Sequence, residues 1–530
     1  MSLDCYRLDP LHYYSSPGLS FDACLKMTGV TLELMTDPEQ YLFIEKGMRG
    51  GVSTISHRFA KANNPYLADG YNSSEDTSYI MYYDCNNLYG TAMSSPLPTG
   101  SFRFLTPEEV ESFDVMSKPD DASKGYILEV DLEYPSHLHQ AHNDYPLAPE
   151  SLVVSPTMLS PYAQMLALDL GINTNSKIGK LIPNLMPKKG YVLHYRNLKF
   201  YMEMGLRVTT IHRVLEFAQS PWLKPYIDFN TVKRQAAHNS FEKDLFKLMN
   251  NSVYGKTMQN NRKHLNIQIV TKEWRAKRLV AQPTFQCFSI INDTVTIVKM
   301  LKGNVVLDKP IYAGMCILDI SKLCMYQFHY QVILPQYGER VKLLFTDTDS
   351  LCYHIKTEDI YRDMSDRLCH YDTSDYPPNH PLYSKINAKV LGKFKDECNG
   401  TAPLEFVGLR AKMYSILLKP EKDDEEEIDD GNDVKQKKEN EKKTAKGVKR
   451  SYVAKHIRHR QYRNCLFDKE PTMSHFYNIR SKCHQLHTTK IVKTALSPYD
   501  DKRYLLDGVA SLAYGHHLLL NPDNNNSSPS

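Results

Sequence analysis

Two short stretches of the 530-residue chain each run an apolar segment into an aspartate. Tyr79-Ile80-Met81-Tyr82-Tyr83 leads into Asp84, and Leu343-Leu344-Phe345-Thr346 leads into Asp347-Thr348-Asp349-Ser350. Aromatic and β-branched residues of this kind favour strands. Each strand thus delivers a carboxylate to its end, where a buried sheet meets a cleft. Asp347 and Asp349 are two apart, so an ideal strand puts them on one face, and a tight hairpin keeps both near one ion. Clustered carboxylates repel. A divalent cation with oxygen ligands removes that cost, and Mg²⁺ fits best because it combines few carboxylates with substrate phosphates. Two such ions about 3.5–4 Å apart can clamp the attacking and leaving oxygens of a phosphoryl transfer. The plainer alternative, an Asp-x-Asp that only caps a turn, stays open for the tripeptide alone.

Thr231 to about Lys256 is the best helical pattern in the chain. Lys243, Lys247, Asn251 and Tyr254 fall at i, i+4, i+8 and i+11, close to three turns, and share one polar stripe. Such a stripe suits a triphosphate lying along the helix with Tyr254 closing over sugar or base. A solvated face supported by Glu242 and Asp244 is the competing reading. Gly255-Lys256-Thr257 imitates the end of a phosphate-binding P-loop, but position 250 is Asn and this glycine follows a helix instead of preceding one, so a P-loop is rejected. In Gly408-Leu409-Arg410-Ala411-Lys412-Met413-Tyr414-Ser415, a strand puts Lys412 and Tyr414 on one face, offering a phosphate contact and a ring. A solvent-facing strand reads the same way.

Lys+Arg 65 against Asp+Glu 61 gives only +4, so nucleic-acid binding must come from local patches. The 11 cysteines form no C-x-x-C pair, which fits a reducing compartment and argues against a disulfide framework or zinc ribbon. No signal peptide follows Met1 and no membrane-length apolar run occurs; the expectation is an intracellular protein of nucleus or cytoplasm, not secreted. His137, His139 and His142 with Asp144, and Cys483, His484 and His487, are crowded but lack a fixed ligand spacing.

Together the pieces resemble family B DNA polymerases, in particular the protein-primed viral, organellar and transposon-borne branch. Asp84-Cys85-Asn86-Asn87-Leu88-Tyr89-Gly90 looks like motif A, and Lys247-Leu248-Met249-Asn250-Asn251-Ser252-Val253-Tyr254-Gly255 like motif B. Asp347-Thr348-Asp349-Ser350 looks like motif C, and Lys412-Met413-Tyr414 like the Lys-x-Tyr motif. The resemblance implies an α+β right hand: a palm of antiparallel sheet plus helices, helical fingers and a small thumb. It implies two Mg²⁺ ions (or Mn²⁺) held by Asp84 and Asp347, with Asp349 close by as the third catalytic carboxylate. Leu88, Tyr89, Lys243, Lys247, Asn251 and Tyr254 fall at the nucleotide, with Tyr89 as a steric gate against a 2′-hydroxyl and Lys233 or Arg234 as a further basic residue. Lys412 and Tyr414 would hold the primer terminus; Ser252, Gly255, Arg49, Gly50 and Gly51 also fall on the DNA side. Implied partners are a primer–template and dNTPs, with a terminal protein primer left open, and a monomer with no membrane attachment.

The expected layout is an N-terminal segment and linker at 1–50, palm at 51–95, palm with a family insertion at 96–220 and fingers at 221–260. A second insertion at 261–311, palm at 312–420, a charged disordered linker at 421–446, thumb at 447–515 and a disordered tail at 516–530 complete it. Gly47-Met48-Arg49-Gly50-Gly51 resembles the linker that follows the family's exonuclease domain, with Met48 where Tyr is usual. The expectation is therefore a polymerase without proofreading, from a truncated gene or decayed mobile-element copy. The basic run through Lys455, Arg458, Arg460 and Arg463 is placed to track a duplex backbone. A catalytically inactive DNA-binding remnant and an RNA-templated polymerase are the alternatives.

Overall fold

A computed structural model of the chain describes residues 2–418, 440–482 and 485–519. Its central sheet gathers six strands from distant parts of the sequence: β1 (Ser53–Ile55), β2 (Ser78–Cys85), β3 (Val341–Asp347), β4 (Ser350–Lys356), β5 (Tyr371–Asp372) and β6 (Phe394–Asp396). The strand order is β1-β3-β4-β2-β6-β5. All pairs are antiparallel except β5–β6. The two strands read from sequence as carrying carboxylates are therefore separated only by β4, the return strand of the Asp347–Ser350 hairpin.

The principal helices are α1 (Ser16–Thr28), α2 (Leu88–Met93), α3 (Lys224–Gln235), α4 (Ser240–Thr257) and α5 (Ile311–Gln327). The single helix expected over Thr231–Lys256 is thus two. Asn239 accepts the Glu242 N–H at 2.9 Å while the Glu242 carboxylate accepts the His238 N–H at 3.1 Å, a reciprocal cap that starts a new helix. The helix α5 passes at its end into a π-helical turn at Phe328–Ile333. Almost every residue of α5 is buried, so it is the central rod between the sheets.

A second sheet of Leu97–Phe104, Lys124–Glu133, Lys188–His194 and Arg207–Ser220 lies within the stretch 96–220 expected as palm with a family insertion. Eight of ten residues of Lys124–Glu133 are buried, so this is core. The irregular, proline-rich part falls between Glu133 and Lys188.

Near the C-terminal side, β7 (Pro403–Arg410) and β8 (Met413–Leu418) form a hairpin, and β9 (Glu441–Ala445) pairs with β8. The end of the expected 421–446 linker is therefore an ordered edge strand; the alternation of Glu441, Lys443 and Ala445 turns its inner face to the core. The rest of that charged run, the tail beyond 519, and Cys483 and His484 lie outside the described residues. The basic run at 450–467 forms two helices, and a long ribbon, Thr472–Lys482 with Gln485–Leu496, follows. No helix among the described residues is long and apolar enough to cross a membrane.

The N-terminal residues pack on the helical pair α3–α4. Tyr6 donates to Asn230 Oδ1 (2.6 Å), Asn230 Nδ2 donates to Asn250 Oδ1 (2.8 Å), and the Ser20 hydroxyl bonds to Met249 O. The segment expected as an N-terminal segment and linker is thus a brace for α3 and α4.

Candidate active site

The three aspartates meet at one end of the central sheet. β4 pairs Ser350 with Asp84, and the Cys85 N–H donates to Asp349 O at 2.8 Å. Asp347 lies one strand further on, where β1 pairs it with Ser53. Two strand spacings of about 4.8 Å thus separate the backbones of Asp84 and Asp347, with Asp349 between them. Asp347 and Asp349 do not share a strand face. The hairpin arrangement holds instead, with Thr348 at φ +67° between them and the Asp349 N–H on Asp347 O at 2.8 Å.

A glycine shapes this turn. The Thr348 N–H donates to Val52 O at 2.7 Å, and a β-carbon on Gly51 would collide with the Thr348 side chain. Gly50 has open space around it. Arg49, expected at the DNA, instead donates to Val192 O at 2.6 Å with its guanidinium 3.7 Å from the Tyr191 ring centre.

Burial, then the neighbouring Asp349 and Glu397 charges, push the Asp84 carboxyl up to about 7, against the opposing pull of Lys395 and Lys247. Asp349 is also raised, first by burial and then by Asp347. Asp347 is ion-paired with Lys412. Among the described residues no group of three or more His, Cys, Asp or Glu side chains is gathered closely enough to hold a metal ion. Even so, the donor set suits Mg²⁺ or Mn²⁺. It consists of hard carboxylate oxygens, two of them strained by burial and like charge in a way a divalent cation relieves.

The turn after β2 holds Asn87 at φ +48°, its side chain accepting the Gly90 N–H at 3.3 Å to start α2. Leu88 points into the core. Tyr89 stacks on Tyr254 of α4, with centroids 4.5 Å apart and planes 13° from parallel. Motifs A and B thus share one aromatic floor. One turn back on α4, the Asn251 side-chain oxygen is buried without a hydrogen-bond partner. Lys247 and Arg234 line a cavity beside Asn86 and Asn87. Lys243 is exposed outside that cavity, and Lys233 lies over the Phe229 ring. Ser252 is buried and Gly255 exposed.

Lys412 and Tyr414 are not on one strand face. Lys412 sits in the turn between β7 and β8 at φ +62° and reaches Asp347. Tyr414 is buried, its ring stacked on Phe345 at 4.1 Å and its hydroxyl 2.9 Å from that of Tyr82. Three polar side chains that sequence reading passed over also flank the aspartates: Lys395, in register with Asp84, its partner Glu397, and Asp372, which accepts from Asn86 at 2.7 Å. No local sequence pattern marks them, because pairing with the distant motif A strand and turn places them. The histidines at 139 and 142 are structural: His142 Nδ1 is 2.7 Å from the Tyr134 hydroxyl, and His139 Nδ1 accepts the His517 N–H.

The sheet, the aromatic floor and the carboxylate cluster define a nucleic-acid polymerase palm faced by helical fingers. The family model for DNA polymerase type B, organellar and viral, matches residues 35–333. The chain therefore belongs to that family. Its fold is similar to that of Phi29 DNA polymerase in an orthorhombic crystal form, with a TM-score of 0.54 and 14% identity over 93% of this chain and 70% of that one. It is likewise similar to Phi29 DNA polymerase complexed with primer–template DNA and incoming nucleotides, with a TM-score of 0.52 and 14% identity over 92% and 68% of the two chains. The fold is accordingly the right hand of this family. No curated protein sequence matches the chain.

Proposed function

We propose that the chain is a DNA-directed DNA polymerase that adds dNTPs to a primer 3′ end. The observation that carries this reading is the convergence of Asp84, Asp347 and Asp349 beside the Tyr89–Tyr254 stack and the cationic Lys247. The primer 3′-oxygen bonds to the α-phosphorus, and the bond from that phosphorus to its bridging oxygen breaks. Pyrophosphate leaves with the electron pair, and the hydroxyl proton passes to solvent. Asp84, Asp347 and Asp349 would hold the divalent ions, which supply charge stabilisation to the attacking and leaving oxygens when bound. Tyr89 braces Tyr254 and presents its edge to the sugar. Lys247 and Arg234 neutralise the phosphates, and Lys412 exchanges its pairing with Asp347 for a hold on the primer end.

Primer extension with Mg²⁺ and four dNTPs tests the reading. Asp347→Asn should lower extension by about 10²–10³-fold while primer–template affinity stays within about threefold, in line with the cost of removing a charge-stabilising group. A variant as active as the parent removes the metal assignment. Tyr89→Ala should raise ribonucleotide incorporation by at least tenfold; unchanged sugar selectivity refutes the gate.

A further inference from the structure

The cavity beside motif A has two walls, and the helices α3 and α4 supply only one, through Arg234, Lys247 and Asn250. The opposite wall is contributed by Asp372, Asp375 and the stretch from Lys389 to Lys395. At about 110 Å³ the cavity is well below the roughly 300–1,000 Å³ of a site for a whole ligand, so it suits part of one.

This second wall is mounted on motif A. The Asn86 N–H donates to Lys393 O at 2.8 Å, the Gly392 N–H donates to Asn86 O at 3.1 Å, and β6 pairs Lys395 with Asp84. Within the wall, Lys389 has φ +57°, a left-handed conformation costing a non-glycine residue about 1–2 kcal/mol. Asp372 maintains it: Oδ2 accepts both the Lys389 N–H (2.7 Å) and Asn86 Nδ2 (2.7 Å), and Oδ1 accepts the Ser374 N–H (3.0 Å). Both Asp372 oxygens are thus engaged in fixing backbone and motif A. Lys395 is held by Glu397 at 2.8 Å and Asp375 at 3.6 Å. Lys389 forms no ion pair with a carboxylate among the described residues, and it lines the same cavity as Lys247. At one edge the walls touch, Gln235 Nε2 donating to Ala388 O at 3.3 Å. Arg234, Lys247 and Lys389 thus line one cavity, none of them in an ion pair among the described residues, and gathered cations of this kind are costly unless an anion joins them.

We propose that Lys389 is a phosphate ligand: it holds the triphosphate tail of the incoming nucleotide against Lys247 and Arg234, so the tail bridges fingers and palm. This rests on the polymerase reading and adds a residue from outside the fingers. Base and sugar remain over the Tyr89–Tyr254 floor.

The test uses the full chain with Lys389→Gly, which suits the left-handed backbone and removes the amine, and Lys389→Arg, which keeps the charge. The dNTP KM in primer extension and direct binding of inorganic tripolyphosphate are measured for each. Lys389→Gly should raise the KM about tenfold with kcat changed less than threefold, weaken tripolyphosphate binding about tenfold and leave primer–template affinity unchanged, as for loss of one charge-assisted bond. Lys389→Arg should stay within threefold of the parent. A Lys389→Gly chain that binds tripolyphosphate and dNTP within twofold of the parent overturns the assignment. A parent that extends no primer refutes the polymerase reading instead, and the tripolyphosphate comparison still decides the role of Lys389.

Discussion

Asp84 is held where both burial and the charge of Asp349 oppose its ionisation. A carboxyl raised in this way binds its proton more tightly folded than unfolded, so its charged form opposes folding at neutral pH. Asp84→Asn should therefore abolish extension yet stabilise the ion-free protein by roughly 1–3 kcal/mol, several degrees in Tm, the trade expected when an active site stores unfavourable charge. Mg²⁺ should raise the Tm of the parent and not of the variant. Thermal denaturation with and without the ion checks both, and an unchanged or lower Tm for the ion-free variant shows that Asp84 is already compensated. The aspartates were legible because four short patterns, none specific alone, occur together in the order of the family's motifs. The placement of Tyr414 was not. Alternation along a strand puts it beside Lys412, but the turn at Lys412 breaks the alternation and Phe345 takes the ring.

At the level of the element, the decisive unit is the β3–β4 hairpin with Thr348 at its tip, backed by Gly51. Because Thr348 is short and in a left-handed conformation, it cannot swing away from a new methyl group. Gly51→Ala should shift the turn and lower kcat by at least tenfold, with a stability loss of only about 1–2 kcal/mol, as for mild overpacking. Steady-state extension beside urea unfolding separates the two, and unchanged kcat means the turn has slack. Gly50-Gly51 stood out in sequence as part of a linker-like segment; that its second glycine faces motif C depends on a pairing of Ser53 with Asp347 that no local pattern encodes. The break at Asn239 was missed: Asn-Ser-Phe-Glu is a helix-start pattern, but no proline interrupts the helical run on either side of it. The wall around Lys389 gave no signal, because its conformation is set by Asp372 and Asn86 from elsewhere in the chain.

Across the whole molecule, long-range polar contacts tie the insertion and the C-terminal part to the palm. Asp144 accepts from His57 Nε2 at 2.9 Å and from the Leu343 N–H of β3 at 3.1 Å, close to Arg503. Burial works against this carboxylate, but the His57 charge and hydrogen bond, then Arg503 and Leu343, hold it down to about 2. A depressed carboxyl contributes stability above its unfolded value near 3.8 and loses it as pH falls through about 2. Asp144→Asn should thus cost about 2 kcal/mol at pH 7, and that deficit should shrink between pH 4 and 2 in urea titrations; a deficit independent of pH refutes the charge as its source. Charge at this scale also decides where a duplex lies. With a net charge of only +4, the chain cannot attract DNA over its whole surface. The groove of about 700 Å³ leading from Asp347 between β9 and the helix Arg450–His456 carries Lys412, Lys443, Lys446 and Arg450. Glu441 engages Lys443 and Asp347 engages Lys412, while Lys446 and Arg450 are exposed with no ion pair among the described residues. Of the downstream basic run, Arg463 is already paired with Glu405 at 2.7 Å, whereas Arg460 is exposed on the same helix. Lys446 and Arg450 are the unpaired cations of this groove, and the polymerase reading expects them to meet primer phosphates. Replacing both Lys446 and Arg450 by Ala should weaken primer–template binding equally for all sequences and flatten the slope of log K against log salt by about 2, since each phosphate contact contributes about 0.9. A salt titration of DNA binding measures that slope directly, and an unchanged value would place the duplex outside this groove.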